Sequence, residues 1–160
     1  MPFAWLMQAR TLKHAGDRMM ELFTPVWRTH DVACEDFGLA GVALTQYGFA
    51  LENALKGLLI HHDPPIAASG RFKWPVSGPH ELVELGQKAG MTWDSDTTLF
   101  VDCLKEQMVW HGRYPTTMGE RDYKTLYWGT VEGEMPVWMT KRFAEIFAGV
   151  EQPLAAVAFA

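Results

Sequence analysis

Apolar positions recur at helical spacing along most of the chain. From residue 4 to 23, Trp5, Ala9, Leu12, Gly16, Met19 and Phe23 fall on one stripe, while Gln8, Lys13, Asp17 and Arg18 lie elsewhere, predicting an amphipathic first helix. Thr24-Pro25 is expected to end it, because the residue before proline is pushed out of the helical region. A second helix is predicted from an N-cap at Asp31, with Glu35 and Asp36 in its opening turns, to about His62. At roughly 1.5 Å per residue it would span about 45 Å and form the spine of the domain. Gly38, Gly41, Gly48 and Gly57 each cost about 1 kcal/mol against alanine inside a helix, so they predict close approach of neighbouring helices.

Asp63-Pro64-Pro65 stops the spine, and 64–79, with Gly70, Pro75, Gly78 and Pro79, reads as a long loop. Pro79 opens a short third helix carrying Leu82, Val83 and Leu85, with Gly90 as its stop. A fourth helix starts after Asp94 or Asp96, buries Leu99, Phe100, Cys103, Leu104, Gln107 and Met108, and ends at Gly112, with Pro115 blocking continuation. Residues 120–133 fit a helical turn or an extended segment equally. The last helix starts at Pro136 and buries Val137, Trp138, Phe143, Ile146 and Phe147. The apolar tail after Pro153 is expected to dock on this domain or on a partner. With no sustained period-two alternation and no repeat, the expectation is an all-α, up-and-down bundle of about five helices around one long central helix, in a single domain over 1–160 with its core at about 4–149.

Composition adds boundaries to this picture. The 160 residues, 48% hydrophobic and 21% charged, suit one globular domain. The formal charge of -5 argues against broad DNA binding, which needs a basic surface. Cys34 and Cys103, outside any CxxC pair, read as two reduced, semi-buried thiols. The N-terminus lacks a basic region ahead of apolar residues, and no run approaches the ~18 apolar residues of a membrane span, so the expected compartment is the cytoplasm, with no membrane partner.

Three groups carry candidate chemistry. Glu52 and Lys56, four apart, share a helix face beside Leu51, Leu55, Leu58 and Leu59; they form either a surface pair or a polar pair at the buried stripe. In His111-Gly112-Arg113-Tyr114-Pro115, glycine and proline constrain a turn on which arginine suits phosphate and histidine suits proton transfer; alternatively Arg113 caps helix-end carbonyls or pairs with Glu52. His61 and His62 point about 100° apart and have no HExxH or cysteine partner, so neither a metal nor any other cofactor is expected, and His80 is expected to cap or bridge helix ends. GxGxxG, P-loop, GxSxG and EF-hand patterns are absent. Most of the seven tryptophans are expected in the core.

The order Phe49-Ala-Leu-Glu52-Asn-Ala-Leu-Lys56-Gly-Leu-Leu, Pro79-His80-Glu-Leu-Val-Glu-Leu85 and Trp110-His-Gly-Arg113-Tyr-Pro115 resembles the HEPN-like helical domains of prokaryotes over about residues 35–116. The resemblance implies a compact helical bundle, a homodimer, and in several members a ribonuclease or toxin component. Ribonuclease members are similar in placing a histidine a short polar spacer after an arginine. Here Arg113 is followed by Tyr-Pro-Thr-Thr-Met-Gly-Glu, and His111 precedes it, while Arg10-Thr-Leu-Lys-His14 sits in the wrong helix. The resemblance therefore implies the bundle more than the nuclease. The expectation is a non-catalytic module in which Glu52, Lys56, His80, Arg113 and Tyr114 hold the helices together or take a small anion, nucleotide or RNA. The alternative is a metal-independent ribonuclease or toxin-antitoxin component using His111 and Arg113.

Overall fold

The computed structural model describes residues 2–29, 34–67, 71–73, 75–111 and 135–159, with 34–37, 110 and 111 as backbone only. Five α-helices account for most of them, and no strand occurs among the described residues: α1 Pro2–Thr29, α2 Cys34–His62, α3 Leu82–Lys88, α4 Ser95–Glu106 and α5 Met135–Ala158. The expected all-α bundle is what forms. A single 3-10 turn, Pro64–Ala67, follows α2, and α4 widens into a π-helical turn at Gln107–His111. The expected cap at Asp31, the stops at Gly112 and Pro115, and the segment 120–133 lie outside the described residues.

The 29 residues of α2 make it the spine, packed against every other element. Tyr47, Leu51, Ala54, Leu55 and Leu58 are all buried, so the helix is apolar around much of its circumference, as a central helix must be. Tyr47 stacks on Phe143 of α5, ring centroids 4.1 Å apart at 12°, and Arg10 of α1 pairs with Glu151 of α5 at 2.6 Å. The glycine expectation holds at two positions: a Cβ on Gly57 would lie 2.9 Å from both Leu154 methyls, and one on Gly48 would collide with Met108. A Cβ on Gly38 meets nothing within 4 Å, so close packing does not account for that glycine.

Other expectations need correction. Helix α1 runs through Thr24-Pro25 to Thr29. Proline removes one hydrogen bond and crowds the preceding turn at roughly 3 kcal/mol. The far turn is held nonetheless, by Trp27 packing on the core and on Phe23 at 5.9 Å and by the Thr24 hydroxyl donating to the Met20 carbonyl at 2.7 Å. The buried stripe of α1 is Leu6, Ala9, Gly16, Met20 and Phe23, with Trp5, Leu12 and Met19 half-buried on its flanks.

Helix α3 begins at Leu82 rather than Pro79, because His80 has φ 65°, a left-handed conformation that no helix residue adopts. In α4, Leu99 is 64% exposed and Val101 takes its place inside; in α5, Val137 faces solvent and Met139 is buried. Both errors are of helical phase, one or two positions off the true stripe. Gly90, at φ 84°, does terminate α3, and Asp94 caps α4 by accepting from Thr97 N–H at 2.7 Å. The tail after Pro153 continues α5 and docks on this domain through fully buried Leu154. Cys103 is buried; the Cys34 side chain lies outside the described residues.

Candidate functional site

The helical repeat places Glu52 and Lys56 one turn apart on α2, and the α1 and α3 sides of the bundle close over them. Glu52 is only 2% exposed. A buried carboxylate needs partners on both oxygens. Lys56 Nζ reaches Oε1 at 2.7 Å, and His80 Nδ1 lies 3.0 Å from Oε2. A carboxylate only accepts, so Nδ1 is the donor of that bond. The lysine and histidine side chains retain 14% and 19% exposure against 3% for the glutamate side chain, so the acid is the most deeply buried of the three.

His80 reaches this position from the connector between α2 and α3. That connector is tied at several points. Lys73 N–H donates to the Ile66 carbonyl at 2.8 Å, and Ser77 donates to Glu84 through its N–H at 3.0 Å and its hydroxyl at 2.8 Å. The left-handed backbone at His80 turns the chain so that the imidazole faces α2, where its edge meets Phe49 at 5.7 Å between centroids. Lys56 sits over two aromatic faces, 5.7 Å from Trp5 and 5.4 Å from Phe72, within the range of cation–π attraction.

Three residues singled out from the sequence, Glu52, Lys56 and His80, therefore meet in one cluster. Arg113 and Tyr114 lie outside the described residues. His111 ends the π-helical turn, and its side chain is likewise outside them. His61 and His62 are exposed neighbours at the end of α2 with rings 5.7 Å apart, and no metal-binding group of three His, Cys, Asp or Glu occurs among the described residues. The aromatic frame of Trp5, Phe49 and Phe72 was not foreseen. The sequence signal for it is Phe72 itself, an aromatic between Arg71 and Lys73 in the same loop as Ile66, Trp74 and Val76.

A second polar network crosses the bundle. The Tyr47 hydroxyl donates to Asp17 Oδ1 at 2.9 Å, and Asp17 Oδ2 accepts from Lys13 at 2.6 Å. Burial, reinforced by the Asp17 charge, pushes the Tyr47 phenol well above its ordinary range, so it acts as a fixed donor between α2 and α1.

Fold and site together define an all-α bundle whose central helix carries a buried carboxylate clasped by a lysine and a histidine. Set against protein-family models, curated proteins and solved structures, the chain matches none. No helix among the described residues is long and apolar enough to cross a membrane.

Proposed function

We propose that this chain is a non-catalytic helical module of the HEPN-like kind, and that the rim of the Glu52–Lys56–His80 cluster takes a small anion such as the phosphate of a nucleotide or an RNA end. The observation that carries this reading is the pairing of Glu52. With both oxygens engaged at 2.7 and 3.0 Å, the acid has no lone reactive face to offer chemistry, while the side chains of its two partners keep 14% and 19% exposure. Lys56 brings a positive charge to the cluster, and Trp5 and Phe72 beside it give a base a surface to stack on. The clasp is also structural: it ties the connector to the spine whether or not a ligand is bound.

The expected setting is a prokaryotic cytoplasm and the expected state a homodimer, for which exposed Phe3, Met7 and Phe159 supply apolar surface. Light scattering on purified protein decides the oligomeric state.

A thermal-shift titration with inorganic phosphate, nucleoside monophosphates and short RNA tests the ligand. At about 100 times Kd a ligand adds about 2.7 kcal/mol, which raises Tm by roughly 5–10 °C in a domain of this size. Lys56→Met is expected to abolish the shift. No shift with any of these anions would end this reading. RNA cleavage that persists in chelator and disappears in a His111→Ala, Arg113→Ala variant would replace it with the ribonuclease reading.

A further inference from the structure

Away from the cluster, a cleft of about 300 Å³ opens between the segment 91–94, the first turn of α4 and the middle of α5. Trp93, Met91 and Ile146 give the lining its apolar part, and Gly149 belongs to it too, where an added Cβ would meet nothing within 4 Å. At the polar end lies Arg142, itself only 25% exposed. Its Nη2 donates to the Thr97 hydroxyl at 2.7 Å, but its two carboxylate neighbours sit at 3.6 Å (Asp94) and 3.5 Å (Glu145). Good charge-assisted bonds are about 2.7–2.9 Å, so these pairings leave the guanidinium able to recruit a closer carboxylate. Glu145, 53% exposed, belongs to the lining, while Asp94, 70% exposed, lies beside Arg142 outside it.

The charges select the ligand. Arg142 and Glu145 put one cationic and one anionic group in the same lining, so a simple anion would also face the carboxylate and a simple cation the guanidinium. A molecule carrying both signs on neighbouring atoms satisfies both ends. The volume lies at the bottom of the about 300–1,000 Å³ typical of small-molecule sites, too small for a nucleotide to be enclosed. We propose that this cleft binds a free α-amino acid with an apolar side chain, its carboxylate on Arg142 beside Thr97, its ammonium toward Glu145, and its side chain against Trp93. This rests on none of the residues of the anion-binding reading.

Isothermal calorimetry of the full chain with L-phenylalanine tests it. Saturable binding is expected below ~10 mM, with none for N-acetyl-L-phenylalanine, which lacks the ammonium, or for phenethylamine, which lacks the carboxylate. Arg142→Met is expected to weaken binding roughly tenfold or more by removing the carboxylate's partner. Gly149→Leu keeps Arg142, replaces a helix glycine by a better helix former and adds a large side chain to the lining, so loss of binding is expected there in a folded protein. Lys56→Met should bind L-phenylalanine as the parent does. Absence of saturable binding, equal binding of the two truncated analogues, or undiminished binding to Gly149→Leu would overturn the proposal.

Discussion

Replacing Glu52 by alanine removes the acceptor shared by Lys56 and His80 and should be the most damaging polar substitution in the described molecule. Hydrogen bonds to charged groups contribute about 1.5–3 kcal/mol each, so the two bonds at 2.7 and 3.0 Å set a gross figure of about 3–6 kcal/mol. Both donors can turn partly to water, being 14% and 19% exposed, which reduces the expected loss to about 2–4 kcal/mol. Against a total on the order of 5–15 kcal/mol this is large, and Tm should fall by roughly 5–15 °C. Urea unfolding followed by far-UV circular dichroism measures it. The paired variant Glu52→Leu, Lys56→Met removes the acid together with one of its two partners and is expected to lose less stability than Glu52→Ala, because one donor, His80, rather than two loses its acceptor. If Glu52→Ala costs less than about 1 kcal/mol, the cluster does not hold the connector, and the clasp reasoning is wrong.

Three further outcomes follow from the geometry. At His80, φ 65° should make His80→Gly more stable than His80→Ala by about 1 kcal/mol, measured by the same urea unfolding. Gly16→Ala should destabilise by about 1–3 kcal/mol, since its Cβ would lie 2.5 Å from the Tyr47 ring and 3.1 Å from the Ala43 carbonyl, whereas Gly38→Ala should be neutral or stabilising by up to about 1 kcal/mol; equal thermal shifts for the two would contradict the packing. The Thr97 hydroxyl and N–H, with Arg142 nearby, hold the Asp94 carboxyl below its ordinary range. Its folded value is depressed, so its contribution is present above about pH 5 and drains as pH falls below about 4; unfolding titrations of Asp94→Asn should show a flatter acid limb than the parent.

Local chemistry made much of this fold readable. The spine ends at His62 before Asp63-Pro64-Pro65, Gly90 stops α3 and Asp94 caps α4, because each is decided within a few residues. Pro25 misleads for the opposite reason: its local penalty is real, yet a distant partner, Trp27 on the core, outweighs it. Leu99 and Val137 were placed inside because a leucine or valine near the apolar stripe looks the same from sequence wherever it sits within a turn of its edge. Within the cluster, the spacing of Glu52 and Lys56 was visible, since helix geometry alone puts them on one face. The meeting of His80 with Glu52 depends on a left-handed turn at a histidine, which nothing in the residue type announces. The Arg142 cleft was invisible for a similar reason: its residues come from α4, α5 and the segment before α4 and share no motif.

The buried carboxylate also divides the molecule by how readily its parts come apart. Helices α1, α2 and α5 are joined by apolar seams, such as Tyr47 on Phe143 and Gly57 against Leu154, whose separation exposes hydrocarbon. The connector of 71–81 has Phe72 and Val76 as half-buried apolar anchors and leans on the spine through His80. Lifting it strands a carboxylate that was 2% exposed with Lys56 as its remaining partner. The cost of that opening is set chiefly by charge, so added salt should loosen the connector while the three-helix seam stays shut. Amide exchange would then resolve two tiers, fast across 75–81 and slow along the middle of α2, within one small protein.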